Sequence, residues 1–483
     1  MTGRSSTDWT LFRTMLVEEW RMHAHLFGSR RFAAFPVFVT LLAAAGVAFL
    51  TFADVDLGTV VAGVHGLVFL FGLQTGTVGF LGRDAMQNLL GDATLLVFTT
   101  RTLPVDRGLA LAVFLVKDLV YYAVLFMVPL ALAFVPPALG GSLSLARVAL
   151  LWGTLTGTFA FGIAVTVVLV ALTTRGRVGR IALFGVVAGL GLAWAADVNV
   201  LAATPYAIYA DPSPASVALP AVLVPVLALL GGWLHDEEYE RPARSADNAF
   251  ARWHHRLGDR EGLVTRSLLD VRRSSGGFFK IGFSAGLLFV VSAFLVELVA
   301  PIVGTRPSVG VTFGALLGLS AFTTFNWLTQ FDDPQEYLRL PLGLEDVFAA
   351  KLRAFLVLSV PLGLVLLAVA VVWLGQGPLR PLELLTGALL LVGLQLYLFG
   401  LVVYLTGFSP NEFLFDTVLF AGFGLAIAVA LVPVLVVGLV MAPVPGSLLA
   451  GLAVGAVLLG VVGLGLYRRG VPKWTRAHRD GSL

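Results

Sequence analysis

The sequence predicts an all-helical, polytopic membrane protein. Hydrophobic residues fill 58% of its 483 positions and charged residues only 13%, against about 25% charged in soluble domains; its mean hydropathy is +0.91. The apolar residues fall in long runs, and about 20 in a row let a helix cross hydrocarbon with its backbone groups satisfied internally. The runs are too long and too uniformly apolar for the alternation of a barrel strand.

Twelve spans are expected, near 33–53, 57–82, 108–134, 143–172, 178–201, 215–234, 281–303, 309–330, 345–375, 379–407, 412–442 and 445–467. Ahead of the first, residues 8–32 mix Leu11, Met15, Leu16, Trp20 and Phe27 with Arg13, Glu18, Glu19, Arg21, His23 and His25. That mixture at helical spacing describes an amphipathic helix lying in the membrane interface; an ordinary exposed helix is the alternative. Charges throughout the first ~30 residues argue against a cleaved signal peptide.

Basic residues set the expected orientation, because cytoplasmic loops retain them. With both termini inside, 28 of the 32 Lys and Arg are cytoplasmic, while Arg147, Arg306 and Arg380 lie outside and Lys117 sits at a helix mouth. The loop 408–411 carries no basic residue and is neutral on the question. There is no cysteine, so neither disulfides nor thiolate metal sites are available. Arg outnumbers Lys 28 to 4, a bias associated with GC-rich genomes and hence a prokaryotic source. The net charge of +3 follows from the basic inner loops and gives no reason to expect nucleic-acid binding.

Residues 235–262 form the longest polar interval and divide the chain into a first module, 1–234, and a second, 263–467, followed by a basic tail, 468–483. After the linker, Leu263 to Arg273 repeats the amphipathic, basic character of the N-terminal helix. Interfacial helix, two spans, a charged proline-bearing loop and four spans therefore occur twice in the same order. An even number of spans per half makes this a parallel repeat. Glycines at small-xxx-small spacing, Gly72/Gly76, Gly153/Gly157, Gly185/Gly189, Gly310/Gly314/Gly318 and Gly451/Gly455, mark where spanning helices approach closely.

Much catalytic chemistry is missing. None of Lys117, Lys280, Lys351 and Lys473 precedes Ser or Thr, so no phosphate-binding loop of the Gly-x-x-x-x-Gly-Lys-Ser/Thr type exists. Neither a Gly-x-Ser-x-Gly elbow nor a His-Glu-x-x-His helix occurs, and the scattered histidines favour solvated or interfacial roles over a metal site. Neither a catalytic residue nor a resident metal or cofactor is expected. Asp118, Asp197, Glu297, Glu345, Asp346, Glu412 and Asp416 lie near span ends, which argues against ion coupling. His65, Gln74, Asn326, Gln330 and Gln395 lie in or near spans, where they could line a path or bond between helices.

The loop between spans two and three sets Arg83, Asp84, Asp92, Arg101, Asp106 and Arg107 around Leu89, Leu90, Leu95, Leu96, Val97 and Phe98. An amphipathic cytoplasmic helix of this kind suits docking into a partner's groove. It runs through Thr99-Thr100-Arg101-Thr102-Leu103-Pro104 to Lys117; its shorter, more acidic counterpart is Asp332-Asp333-Pro334-Gln335-Glu336-Tyr337-Leu338-Arg339, which continues through Leu340-Pro341 to Lys351. Each leads into an apolar run with a further proline, Pro129 or Pro361.

In layout and in these loops the chain resembles the permease subunits of type-2 ABC exporters, over most of 8–234 and more faintly over 263–467. The resemblance implies that the preceding helix is an interfacial elbow and that the loop forms a coupling helix contacting a separate ATPase. Carried onto this chain, the coupling residues are Asp84, Arg101, Pro104, Asp106, Arg107 and Lys117, then Arg339, Pro341 and Lys351. ATP and magnesium would be held by the partner subunit. Two departures stand out. Family permeases usually carry one six-span unit per chain, which would make this a fused pseudo-dimer; and proline and lysine lie thirteen residues apart in the first loop but ten in the second.

The leading expectation is a cell-membrane permease whose two halves enclose the transport path, driven by separate ATPases and acting as an exporter. An ion-coupled secondary transporter, using Asp197 or Glu297, is the alternative, and a membrane scaffold or lipid-modifying enzyme a third.

Overall fold

The computed structural model describes residues 9–18, 20–21, 35–52, 55–81, 107–175, scattered positions between 178 and 196, 203–234, 248–274, 277–375, 380–409 and 417–480. No strand occurs among them, and eleven helices are long and apolar enough to cross a membrane. The expected fifth span, 178–201, is described only at scattered positions. The chain forms two compact units, Met1–Pro242 and Ala243–Leu483. Their boundary falls inside the expected linker.

In the first unit, span one is Phe35–Phe52 and span two Leu57–Leu81. Span four, Leu145–Thr174, packs against span two on one side and span six, Pro214–Leu234, on the other. Spans two and four meet glycine to glycine: a Cβ on Gly162 would come within 3.0 Å of the Gly72 Cα, and one on Gly72 within 3.1 Å of the Gly162 Cα. Lipid supplies no hydrophobic force between helices, so such backbone approach provides the packing that holds them. A Cβ on Gly231 of span six would lie 2.9 Å from the Val168 nitrogen.

Span three begins as a helix over Arg107–Tyr122, widens to a π turn over Ala123–Met127 and resumes over Val128–Leu132. Pro129 explains the widening: it has no N–H for the carbonyl four residues back, and its ring crowds that carbonyl. The Val128 N–H bonds instead to the Ala123 carbonyl, which also accepts from the Trp152 indole at 3.1 Å.

In the second unit, spans seven to twelve are Phe279–Val303, Val309–Gly318 with Ser320–Thr329, Leu344–Leu374, Pro381–Thr406, Thr417–Val440 and Gly446–Arg479. Span ten packs between eight and twelve. Gly314 faces Gly387 where eight crosses ten, and Gly393 and Gly400 face Ala456 and Gly463 where ten crosses twelve. Below these crossings, Phe399 meets Phe325 and Phe355 with ring centroids 5.0 and 4.8 Å apart.

Two expectations change here. The basic tail from 468 is not a separate segment, because span twelve continues unbroken through Pro472 to Arg479 and buries Gly470, Val471, Trp474 and Thr475. The helix Leu263–Arg273 forms where expected, but seven of its eleven residues are buried within the unit. Of its N-terminal counterpart, residues 9–18 are helical and much of the remainder lies outside the described residues.

Candidate functional site

The best-built polar site lies in the second unit, where the connector between spans eight and nine meets two short helices, Ala249–Leu257 and Leu263–Arg273. Asp333 starts the connector's own helix, Pro334–Leu338, by accepting the Gln335 N–H at 2.8 Å. Pro334 suits the first helical position because the N–H it lacks would have had no partner there. Span nine then begins with the Gly343 N–H donated to Asp346 Oδ2 at 3.3 Å.

Two turns into span nine, Lys351 turns inward and is 1% exposed. Its Nζ donates to the Leu328 carbonyl at 2.7 Å and pairs with Asp332 Oδ2 at 2.8 Å. Leu328 lies in the last turn of span eight, whose carbonyls outrun their intrahelical donors, so the ammonium group meets an orphan acceptor and an opposite charge together. Asp332 Oδ1 accepts from the Tyr337 hydroxyl at 2.6 Å, and the Arg266 guanidinium lies over the Tyr337 ring at 5.2 Å. Burial and the adjacent Asp332 push the Tyr337 phenol well above the ordinary tyrosine range. Burial likewise raises Asp270, against the pull of Lys351 and Arg266.

A second buried lysine closes the same layer. Lys280 Nζ donates to Ser274 Oγ at 2.7 Å and Gln330 Oε1 at 3.0 Å, and sits 4.3 Å from the Trp327 ring centre. Trp253 stacks on Phe278 and lies beneath Arg272. The connector is thus fixed to spans seven, eight and nine by charges with close partners. Its tip remains open, with Phe331, Leu338, Arg339, Leu340 and Pro341 exposed beside Asp333, Glu336, Glu345 and Asp346.

Of the residues expected to couple, Arg339 and Pro341 lie on this open tip while Lys351 is part of its buried anchor. Asp84, Arg101, Pro104 and Asp106 lie outside the described residues, and Arg107 is described only as the first residue of span three. Lys117 is 2% exposed and pairs with Asp118 at 2.7 Å, so this acid is not the water-reachable group that its position at a span end implied.

The five polar residues in spans divide among several places. His65 is buried between Tyr206 and Tyr209, with Nδ1 2.9 Å from the Val61 carbonyl and Nε2 3.0 Å from Thr154 Oγ1, so it ties span two to span four. Gln395 is buried and donates to Ser320 Oγ and the Ser359 carbonyl, both at 3.3 Å, joining spans ten, eight and nine. Gln330 holds Lys280 at the connector. Gln74 and Asn326 are half-buried, and Gln74 Oε1 meets no hydrogen-bond donor. Interhelical bonding, one of the two readings open from sequence, describes His65 and Gln395. Among the described residues no three metal-ligating side chains converge.

No family model, no curated protein and no solved structure matches this chain. Function must therefore be argued from the site itself. Asp332 and Tyr337 belong to the second connector in the sequence, where they carry no assigned role, and nothing in the sequence sets Lys280 beside them. The available signal was a lysine within the first two turns of each of two consecutive odd-numbered spans, with an amide and two acids, Gln330, Asp332 and Asp333, just after the span between them.

Proposed function

We propose that this chain is the membrane-spanning permease subunit of an ABC-type exporter, powered by separate ATPase subunits that bind its connectors. In this reading the chain is not itself an enzyme, holds no cofactor, and relies on its partner for ATP and magnesium. It resides in a prokaryotic cell membrane with both termini cytoplasmic, an orientation that follows from the basic loops.

One observation carries the reading: the connector between spans eight and nine has an exposed tip on a buried, ion-paired base. A tip of this kind can receive force from outside, and its base passes displacement to both spans, because Lys351 belongs to span nine and Leu328 to span eight. An ordinary link would need no such base. Tandem duplication is supported by a shared packing order, second span on fourth and fourth on sixth, with glycine at the crossings in both units. A polar, titratable group at mid-membrane, which the ion-coupled alternative requires, finds no support in Glu297, which pairs with Arg306 and is about half exposed.

Affinity purification of the tagged full chain from native membranes tests the proposal. An ATPase should be retained, and Arg339→Glu together with Leu340→Asp should release it while leaving the elution profile of the chain unchanged. Recovery of the chain without any ATPase would overturn it.

A further inference from the structure

At the opposite end of the second unit, a cavity of about 190 Å³ opens where the links between spans seven and eight, nine and ten, and eleven and twelve come together. Arg306, Arg380 and Glu383 line it, with Ser308, Gly310 and Val444 in its wall. Two guanidinium groups and one carboxylate line the cavity, and a second carboxylate, Glu297, pairs with Arg306. The lining carboxylate is engaged already: Glu383 Oε1 accepts the Ser308 hydroxyl at 2.6 Å and the Gly310 N–H at 3.2 Å. These bonds join the first turn of span ten to the first turn of span eight, and the Ser308 N–H donates to the Gly438 carbonyl of span eleven at 2.8 Å. The walls are therefore tied together by the chain's own hydrogen bonds.

The guanidinium groups keep capacity to spare. Arg306 uses Nη2 to meet Glu297, and Arg380 makes one long bond, 3.5 Å, to the Val444 carbonyl. A guanidinium presents five N–H donors in a fixed fork suited to tetrahedral or planar oxyanions. The helices beginning at Val309, Pro381 and Gly446 start at this end of the unit while those ending at Val303, Leu374 and Val440 finish there, so their dipoles largely offset and the guanidinium groups supply the positive charge. The cavity is too small for a drug-sized molecule, since such pockets run to about 300–1,000 Å³, yet it can hold a compact anionic group.

We propose that this cavity binds a phosphate group through Arg306 and Arg380. The phosphate is either free in solution or the headgroup of a lipid, and the basic-loop orientation places the site on the outer side of the membrane. The proposal stands whether or not an ATPase partner is found.

The test uses the full chain, purified in uncharged detergent and stripped of lipid. Inorganic phosphate is titrated by calorimetry in one arm. In the other, native mass spectrometry measures retention of phosphatidylglycerol against diacylglycerol. Binding of phosphate alone assigns a soluble ligand, retention of phosphatidylglycerol alone assigns a headgroup, and both support the site. The double variant Arg306→Gln/Arg380→Gln should bind roughly tenfold more weakly in the responding arm. Glu383→Gln keeps an acceptor for Ser308 and Gly310 while removing the opposing charge, and should bind a few-fold more tightly. Absence of binding in both arms, or an unchanged affinity in the double variant, overturns the proposal. If the double variant does not fold, Glu383→Gln decides: unchanged or weaker binding refutes the site.

Discussion

Lys351→Met keeps most of the stem's volume and removes the charge, leaving the Asp332 carboxylate buried with only Tyr337 beside it. Both side chains of the pair are 2% exposed, and Nζ lies 2.8 Å from Oδ2 and 2.7 Å from the Leu328 carbonyl. Removing one partner of so enclosed a pair costs about 3–5 kcal/mol, because the remaining charge is left without compensation. Asp332→Asn removes the other charge but retains an acceptor for Tyr337. The two substitutions share one interaction, so their combined loss should fall short of the sum by about 1–3 kcal/mol. Reversible unfolding of the full chain in mixed micelles, followed by circular dichroism, measures each variant. A Lys351→Met loss under about 1 kcal/mol, or losses that simply add, would refute the buried anchor.

Gly314→Ala should destabilise the second unit by about 1–3 kcal/mol, as should Gly162→Ala the first, because either new methyl meets backbone across a helix crossing; unfolding midpoints in detergent check this. Thr154→Val should cost about 1–3 kcal/mol by stranding the buried His65 Nε2, and an unshifted midpoint would show that the ring has another partner. Asp270 titrates above its usual range in the folded chain. The folded state thus holds the extra proton in the window just above the unfolded value, so this group's contribution to stability falls as pH rises through that window. Asp270→Asn should flatten that part of the stability profile, and a slope equal to wild type would count against the shift.

Much of this architecture could be read directly from residue order. Long apolar runs mark spans regardless of tertiary context, since each spanning helix satisfies its own backbone. Glycine spacing found the crossing residues Gly72, Gly310, Gly314 and Gly318, but a pattern within one helix does not say which face meets a neighbour. Gly153, Gly451 and Gly455 have the same spacing and open space beside them, while span twelve packs through Ala456, Gly460 and Gly463. Lys351 illustrates the harder limit. The resemblance makes it a coupling residue of the connector, and only the folded connector brings Asp332, nineteen residues earlier, against it. His65 and Thr154 are farther apart still, 89 residues, and no local pattern links them.

Span twelve is 34 residues long, which at 1.5 Å per residue is about 51 Å of unbroken helix. Hydrocarbon accounts for about 30 Å, so the helix is roughly 20 Å longer than a perpendicular crossing needs, about the length of the stretch that carries Arg468, Arg469, Lys473, Arg476 and Arg479. Trp474 secures that stretch with an indole N–H donated to the Tyr404 carbonyl on span ten. A spin label near Arg479 would consequently report the tilt of the whole rod in the lipid, turning the far end of the polypeptide into a goniometer for its interior.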